Sequence, residues 1–185
     1  MGFYSQLDES HFQFIKQQKM FFVASAPESG RINLSPKGID TFRCLDQNSA
    51  IYLDFTGSGN ETCAHILENG RLTFMFCSFD KRPNILRLYG TGSMIYPGDG
   101  AWDDLYSKFE DYAGVRQIIK MQIESVQTSC GFGVPLYEFI AERQTLEKSS
   151  QHKGEAGLVK YRFEKNRQSI DGKLIDTPAT KEPPR

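Results

Sequence analysis

Apolar residues recur along the chain mostly at strand spacing, in short runs separated by turn residues. The runs Met20–Ala24, Ala50–Phe55 and Arg71–Phe76 have strand length and are rich in aromatic and β-branched residues. Ile85–Tyr96 and Arg116–Thr128 continue the pattern over longer segments. Short strands at intervals of about 8–12 residues predict a mainly β (α+β) domain, a barrel or a sandwich, and not a parallel sheet.

Helical spacing of apolar residues is confined to a few segments. Glu9–Gln18 predicts a short helix with Asp8 or Ser10 as its cap. Ala101–Tyr112 and Leu136–Leu146 predict two more helices. We therefore expect a sheet with a few flanking helices.

One stretch joins a strand, a glycine turn and a helix. The run Ala50–Phe55 leads into the small residues Thr56–Gly59 and then into a helix that ends at Asn69-Gly70. Such a turn offers free backbone N–H groups and the positive end of the helix dipole, which commonly hold a phosphate. A capping box of Ser58 and Glu61 is the alternative, and it needs no ligand. The glycine spacing matches neither the Walker A loop nor the dinucleotide fingerprint.

A second group of polar residues follows an upstream turn. Arg31–Leu34 alternates as a strand, with Arg31 and Asn33 on the same face. Ser35-Pro36-Lys37-Gly38 comes next and is predicted to be a polar turn with one hydroxyl and one cation. Considered alone, it is explained most simply as a solvated turn.

Composition narrows the class of protein without identifying it. The chain has 185 residues, 39% of them hydrophobic, as expected for one globular domain with an appendage. Its net charge of -1 gives no general attraction to nucleic acid or to an anionic membrane, and no apolar run approaches the roughly 20 residues of a membrane span. Four cysteines without a CxxC pair indicate a reducing compartment, the cytoplasm. Three histidines far apart in sequence predict no metal site, and His65 is interpreted as structural.

The composition changes towards the C-terminus. Residues 1–147 are predicted to form the main domain, and residues 148–175 a helical extension that docks on the domain or on a partner. Residues 176–185 contain three prolines and are predicted to be disordered.

The motifs together resemble the pyridoxamine 5'-phosphate oxidase-like group of flavin-binding proteins, over roughly residues 10 to 172. The segments that carry the resemblance are RINLSPKG, YLDFTGSGNETCAHILENGRLTFMFCSF, ILRLYGTG, SCGFGVP and SIDG, and they are similar to an uncharacterised oxidase-homologue branch. The resemblance implies an antiparallel split β-barrel and a homodimer with FMN at the interface. The strand pattern agrees with that fold.

The resemblance also implies cofactor-binding positions. Thr56 matches a threonine of the oxidase turn, but the family's phosphate-binding Ser-Arg-Lys falls on Asn60-Glu61-Thr62, so both cations are missing. Arg31 matches an upstream arginine, and Lys37 matches a lysine with a shift of one residue. The implied phosphate site is built from hydroxyls, backbone N–H groups and Lys37. Its candidate members are Arg31, Asn33, Ser35, Lys37, Thr56, Gly57, Ser58, Asn60 and Thr62.

The substrate site departs from the oxidase pattern. The Arg-x-His pair that binds pyridoxal phosphate in the oxidase occurs nowhere in this chain, which argues against oxidation of pyridoxamine phosphate. The resemblance therefore implies an FMN-dependent oxidoreductase of unknown substrate. The alternative is a non-catalytic module that binds or senses a flavin, a deazaflavin or haem.

Overall fold

The computed structural model describes residues 1–183, and these form eight β-strands, four α-helices and one short 3-10 helix. Most elements lie where the sequence pattern predicts them. The strands are β1 Gly2–Tyr4, β2 Phe21–Ser25, β3 Asn33–Lys37, β4 Phe42–Cys44, β5 Ser49–Phe55, β6 Arg71–Cys77, β7 Ile85–Ile95 and β8 Val115–Ser129. The α-helices are α1 Glu9–Gln17, α2 Glu61–Glu68, α3 Trp102–Tyr106 and α4 Thr145–Lys165, and the 3-10 helix is Pro178–Thr180.

All eight strands belong to one antiparallel sheet with the order β3-β2-β6-β7-β8-β5-β4, and β1 pairs with β8. The sheet curls until its two ends meet. The Phe21 ring of β2 lies 5.0 Å from the Phe42 ring of β4, and Lys37 of β3 reaches Asp54 of β5. The fold is the predicted antiparallel split β-barrel with flanking helices.

The barrel interior is filled by the inward-facing residues of alternate strand positions. Tyr52, Phe74 and Phe76 are almost completely buried, and Phe21 contacts all three rings at centroid distances of 5.5–6.0 Å. Ile66 on α2 packs against this cluster and so fixes the helix to the barrel. Because α2 follows the glycine turn directly, the core also fixes the position of that turn.

Strand β7 approaches its neighbour β8 closely at Gly90. The register between β7 and β8 shifts after Tyr89, and Glu124 is left as the extra residue of a bulge. A Cβ atom on Gly90 would overlap the backbone oxygen of Gln122 and lie 3.1 Å from the Cα of Ile123. Only glycine fits this position without moving β8.

Three local predictions were wrong. The Ser35-Pro36-Lys37 segment is not a turn but continues β3, where proline is tolerated because β3 is an edge strand. Leu136–Leu146 is not helical before Thr145, because residues of this segment make separate contacts, including a stack of Tyr137 on Phe79. The predicted helix Ala101–Tyr112 is reduced to α3, and the chain then turns through Gly114 at a φ of 88°.

The C-terminal region lies against the barrel. Helix α4 begins at Thr145 and is interrupted at Gly154, which has a φ of 63°. A disordered tail was expected from Asp176, but the structure instead folds this part of the chain next to α2. Ile175 is fully buried beside Cys63, and Thr180 is buried with its hydroxyl donating to the Ile175 carbonyl at 2.8 Å. Residues 184 and 185 of the predicted tail lie outside the described part of the chain.

Within residues 1–183, no helix combines the length and the apolar character needed to cross a membrane.

Candidate functional site

The candidate residues of β3 and of the turn meet at the seam where the two ends of the sheet come together. The Lys37 ammonium donates to Asp54 Oδ1 at 3.2 Å, and the Asn33 side-chain amide donates to Thr62 Oγ1 at 3.2 Å. Ser35 donates to the Asn33 side-chain oxygen at 3.0 Å. The structure thus brings these residues together from segments that are about twenty residues apart in sequence.

A buried charged cluster lies on the inner side of the seam. Asp54 accepts hydrogen bonds from Arg116 at 2.7 Å and from Gln117 at 2.8 Å, in addition to Lys37. Burial by itself raises the pKa of the Asp54 carboxyl, but the Arg116 and Lys37 cations outweigh it and lower that pKa to about 2. Asp54 is therefore a carboxylate at neutral pH, and it neutralises part of the positive charge at the seam.

The glycine turn is held by its neighbours and not by a capping box. Helix α2 has Asn60 as its N-cap residue, without a side-chain capping bond, so the predicted Ser58–Glu61 box is wrong. The Glu61 carboxylate instead accepts the Ile170 backbone N–H at 3.1 Å. Ser58 and Gly59 are exposed. Within the described chain, the backbone N–H groups from Gly57 to Asn60 donate to no protein acceptor.

The C-terminal region covers the other side of the turn. Arg162 donates to Thr56 Oγ1 at 3.3 Å, and Asn166 donates to the Gly57 carbonyl at 3.0 Å. Arg31, a predicted phosphate ligand, pairs with Asp171 of this region instead of pointing at the turn. Both candidate cations, Arg31 and Lys37, thus face carboxylates, and two further cations near the turn, Arg116 and Arg162, were not among the predicted residues.

Arg116, Arg162 and Asn166 were missed by the sequence analysis. The sequence contains a weak signal that Arg116 is buried, because it lies close to the buried pair Ile118-Ile119. Asp54 likewise interrupts the apolar run of β5. A buried acid and a buried base in two such strands predict a pair. No sequence signal linked Arg162 or Asn166 to the turn, since both lie in a charged helix more than a hundred residues away.

A cleft of about 1070 Å³ opens next to the seam. Its volume is at the upper end of the range of about 300–1,000 Å³ that is common for small-molecule sites. Lys37, Thr56 and Gly57 of the seam line it, and further charged lining residues are Lys19, Asp80, Glu138, Glu142 and Arg143. The apolar walls are formed by Met20, Pro36, Leu53, Phe55, Phe79, Tyr137 and Phe139.

His65 lies behind the site in a polar chain inside the protein. Its Nδ1 is 2.9 Å from Ser25 Oγ, and the Asn33 amide reaches the same hydroxyl at 3.4 Å. His65 is almost completely buried, and its Nε2 has no hydrogen-bond partner within residues 1–183. In the same residues, no group of three or more His, Cys, Asp or Glu side chains could hold a metal ion.

The burial of His65 predicts a stability that depends on pH. Desolvation lowers the pKa of its imidazole, so the unfolded chain binds more protons than the folded chain below about pH 6.5. The free energy of unfolding should have its full value above that pH and fall as the pH is lowered through it. Urea titrations at pH 8, 6 and 5 measure this slope. His65→Gln should reduce the slope, whereas His152→Gln on the exposed side of α4 should leave it unchanged.

The fold and the seam define the class of protein as a split-barrel protein with a cleft next to the seam between its sheet ends. The family model described as pyridoxamine 5'-phosphate oxidase matches residues 7–130. The chain therefore belongs to the pyridoxamine 5'-phosphate oxidase family, as the motifs predicted. The pyridoxamine 5'-phosphate oxidase family protein ustO of Aspergillus flavus is 39% identical over 188 residues, which cover 92% of this chain and 76% of the relative.

Solved structures show the same fold at low sequence identity. HupZ of Group A Streptococcus is 19% identical, with a TM-score of 0.53 over 71% of this chain and 99% of that chain. A protein of Lactobacillus delbrueckii, provisionally assigned as a pyridoxamine 5'-phosphate oxidase, is 16% identical, with a TM-score of 0.54 over 67% of this chain and 95% of that chain. At these identities the similarity concerns the fold alone.

Proposed function

We propose that this protein binds FMN at the seam, as a homodimer, and acts as an oxidoreductase on a small molecule. The observation that carries the proposal is the position of the glycine turn, with unpaired N–H groups, beside a cleft that Thr56 and Gly57 line together with several aromatic side chains. Family membership supports the same ligand class. The substrate remains unassigned, and the missing Arg-x-His pair argues against pyridoxamine phosphate.

The residues at the seam fit the two parts of FMN. A phosphate suits the part of the cleft lined by Lys37, Thr56 and Gly57, because a cation and the unpaired Gly57 N–H lie there. A flat aromatic ring suits walls that include Phe55 and Phe79. Asn33, Ser35 and Thr62 would support this arrangement from behind, through the hydrogen bonds that join β3 to helix α2. Asn60 would do so by accepting from the Gln117 side chain at 3.3 Å.

A flavin in this cleft supplies hydride-transfer chemistry, and the protein supplies orientation and a dry surface. Lys37 would hold the charged end, and the apolar walls would exclude water from the ring. Arg31 is held by Asp171 at the surface, so in this proposal it stabilises β3 and contacts the phosphate only if that pair opens.

Exposed apolar side chains support the homodimer. The apolar residues of two surface regions are largely exposed: Ile32 and Leu34, at the start of β3, and the segment 132–140. The exposed residues of that segment are Phe132, Leu136, Tyr137, Phe139 and Ile140. Tyr137 and Phe139 also line the cleft, so a second copy on this surface would complete the walls of the site. The four free cysteines are consistent with a cytoplasmic location.

A titration of the purified protein with FMN tests the binding proposal. Binding in an aromatic-lined cleft should quench the flavin fluorescence to a saturating end point of one FMN per chain. Bovine serum albumin at the same concentration provides a baseline for nonspecific quenching. If the flavin fluorescence decreases only as far as dilution explains, FMN is excluded as the ligand.

Lys37→Ala should weaken FMN binding by about 1–3 kcal/mol if the ammonium makes a charge-assisted bond to the phosphate. Asp54 keeps Arg116 as a partner in this variant, so the seam should stay folded. Lys81→Ala, in an exposed turn, is the matched control and should bind FMN like the wild type. Equal FMN affinities of the wild type, Lys37→Ala and Lys81→Ala would show that Lys37 does not bind the phosphate.

The second candidate is a binding or sensing module without catalysis, for a flavin, a deazaflavin or haem. It is favoured by the pairing of Lys37 with Asp54 and of Arg31 with Asp171, which leaves less free positive charge than a phosphate site needs. Anaerobic addition of reduced nicotinamide cofactor to the flavin-loaded protein distinguishes an oxidoreductase from a non-catalytic module. Loss of the oxidised-flavin absorption supports the enzyme, and unchanged absorption with several hydride donors supports the module.

A further inference from the structure

A second cavity of about 1070 Å³ adjoins the cleft at the seam. Residues 18–20, 38–39 and 141–143 line both cavities. Strand β4, residues Phe42–Cys44, lines the second cavity and not the cleft. Its volume is sufficient for a small organic molecule. We call this second cavity the aromatic chamber.

The floor of the aromatic chamber is part of the barrel core. The centroid of the Phe42 ring lies 5.0 Å from that of Phe21 and 4.9 Å from that of Phe76, and all three residues line the chamber. Phe42 is only half-buried, so the aromatic core is open towards the chamber. Such a floor suits a flat ring, which packs on aromatic side chains edge-to-face or offset. Three further aromatic residues line the chamber: Phe12, Tyr112 and Phe139.

Charged side chains of both signs line the chamber without forming ion pairs within residues 1–183. Two of the cations come from α1 and the connection after it, and the carboxylates come from the segment around the start of α4. One carboxylate, that of Glu147, accepts a hydrogen bond from the neutral Gln151 amide at 3.1 Å. Cations and carboxylates that line one cavity without pairing are available to a ligand that carries both charges. These residues are Lys16, Lys19, Arg143, Glu142 and Glu147.

The loop between β3 and β4 forms a fixed wall of the chamber. Ile39 and Asp40 have φ values of 62° and 44°, which a β-branched residue such as isoleucine rarely adopts. Arg43 holds the loop through two hydrogen bonds to the Asp40 carboxylate, at 2.8 and 2.9 Å. The Thr41 hydroxyl donates to the Gly38 carbonyl at 2.8 Å. A strained backbone that its neighbours hold in place is common at ligand sites, where it positions the wall in advance.

We propose that the aromatic chamber is a second small-molecule site, for a zwitterionic aromatic molecule of the aromatic α-amino acid class. The ring packs on the floor at Phe42. The ligand carboxylate faces Lys16 and Lys19, and the ligand ammonium faces Glu142 and Glu147. Binding at this site does not involve the flavin and is independent of the proposed function.

Adding L-tryptophan to the flavin-free, ¹⁵N-labelled protein tests the location of the site. We expect the largest amide shifts in Phe42–Cys44, which line the chamber alone. The residues Phe55–Gly57 line only the cleft and serve as the comparison. Largest shifts in Phe55–Gly57 would place tryptophan in the cleft and overturn the inference, and so would a spectrum that tryptophan does not change.

Two analogues test the charge recognition, because tryptamine lacks the carboxylate of tryptophan and indole-3-propionate lacks its ammonium. Isothermal titration calorimetry should show that the wild type binds tryptophan about threefold to tenfold more tightly than either analogue. The double variant Lys16→Gln/Lys19→Gln should bind tryptophan and indole-3-propionate more weakly by a similar factor, with tryptamine affinity unchanged. Lys81→Gln makes the same chemical change in an exposed turn outside the chamber and should bind all three molecules like the wild type.

Glu142→Gln/Glu147→Gln should show the complementary pattern. Its affinities for tryptophan and tryptamine should fall, and its affinity for indole-3-propionate should stay the same. In each double variant, the analogue with unchanged affinity shows that the chamber is still folded. Equal affinities of the wild type for the three molecules, or an equal loss of all three in both double variants, would overturn the assignment of a zwitterionic ligand.

Discussion

Replacing Asp54 with asparagine is expected to lower the free energy of unfolding by about 3–5 kcal/mol, because it removes one partner of a buried ion pair. Arg116, with a side chain only 5% exposed, would keep its charge inside the protein without a carboxylate. Lys37 would lose its carboxylate at the same time. Urea or thermal unfolding at pH 7 measures the loss.

The effect of Asp54→Asn should also depend on pH. The folded-state pKa of Asp54, about 2, lies below its unfolded value of about 3.9, so the unfolded chain binds the extra proton between these values. The contribution of the Asp54 carboxylate to the free energy of unfolding is thus complete above about pH 4–5, and it is lost as the pH falls towards 2. The difference between wild type and variant should shrink over that range.

Asp40→Asn is the control for Asp54→Asn. It makes the same chemical change in a surface pair, since the Asp40 side chain is 72% exposed and pairs with Arg43. Exposed pairs contribute about 0–1 kcal/mol, so this variant should be nearly as stable as the wild type. A loss below about 1 kcal/mol for Asp54→Asn would contradict the buried cluster described at the seam.

Gly90→Ala is expected to destabilise the protein by about 3 kcal/mol, the upper end of the usual cost of overpacking. The added methyl group would overlap the Gln122 backbone oxygen, and backbone atoms of a paired strand cannot rotate away as a side chain can. Relief requires β7 and β8 to separate at the bulge, which breaks ladder hydrogen bonds.

Gly100→Ala is the corresponding control, because nothing lies within 4 Å of the added carbon at that position. It should change the free energy of unfolding by less than about 0.5 kcal/mol. Denaturant unfolding of both variants measures the difference. Equal stabilities would mean that the register shift between β7 and β8 is not as described.

The barrel could be predicted from the sequence because its signals are local. The period-2 pattern of Arg116–Thr128 and the apolar runs of β2 and β5 each indicate strand structure within a few residues. The helix α2 and its end at Asn69-Gly70 were predicted for the same reason.

The arrangement of the site could not be predicted, because its partners are distant in sequence. The Asn166–Gly57 and Glu61–Ile170 hydrogen bonds each join residues separated by 109 positions, and nothing local marks them. The turn could be recognised as a phosphate-binding candidate, but not the buried side chains behind it. Glu61 was interpreted as part of a capping box, whereas in the structure its carboxylate accepts the distant Ile170 N–H.

The segment 136–146 shows how tertiary contacts override a helical pattern. Its apolar spacing predicted a helix, yet Tyr137 donates its N–H to the Phe79 carbonyl at 3.0 Å and stacks on the Phe79 ring. The Lys19 Nζ, from the connection between α1 and β2, lies 5.6 Å from the centroid of the Phe139 ring. A helix over residues 136–146 would break these contacts. The side chains of Phe79, Tyr137 and Phe139 also form one wall of the cleft.

Native mass spectrometry of the full-length protein, after incubation with FMN and removal of excess ligand, tests the central proposal most directly. We predict a dimer that carries one FMN per chain, with both flavins lost when the dimer dissociates. A protein that retains no flavin, whether as monomer or dimer, would contradict the assignment of the seam as an FMN site.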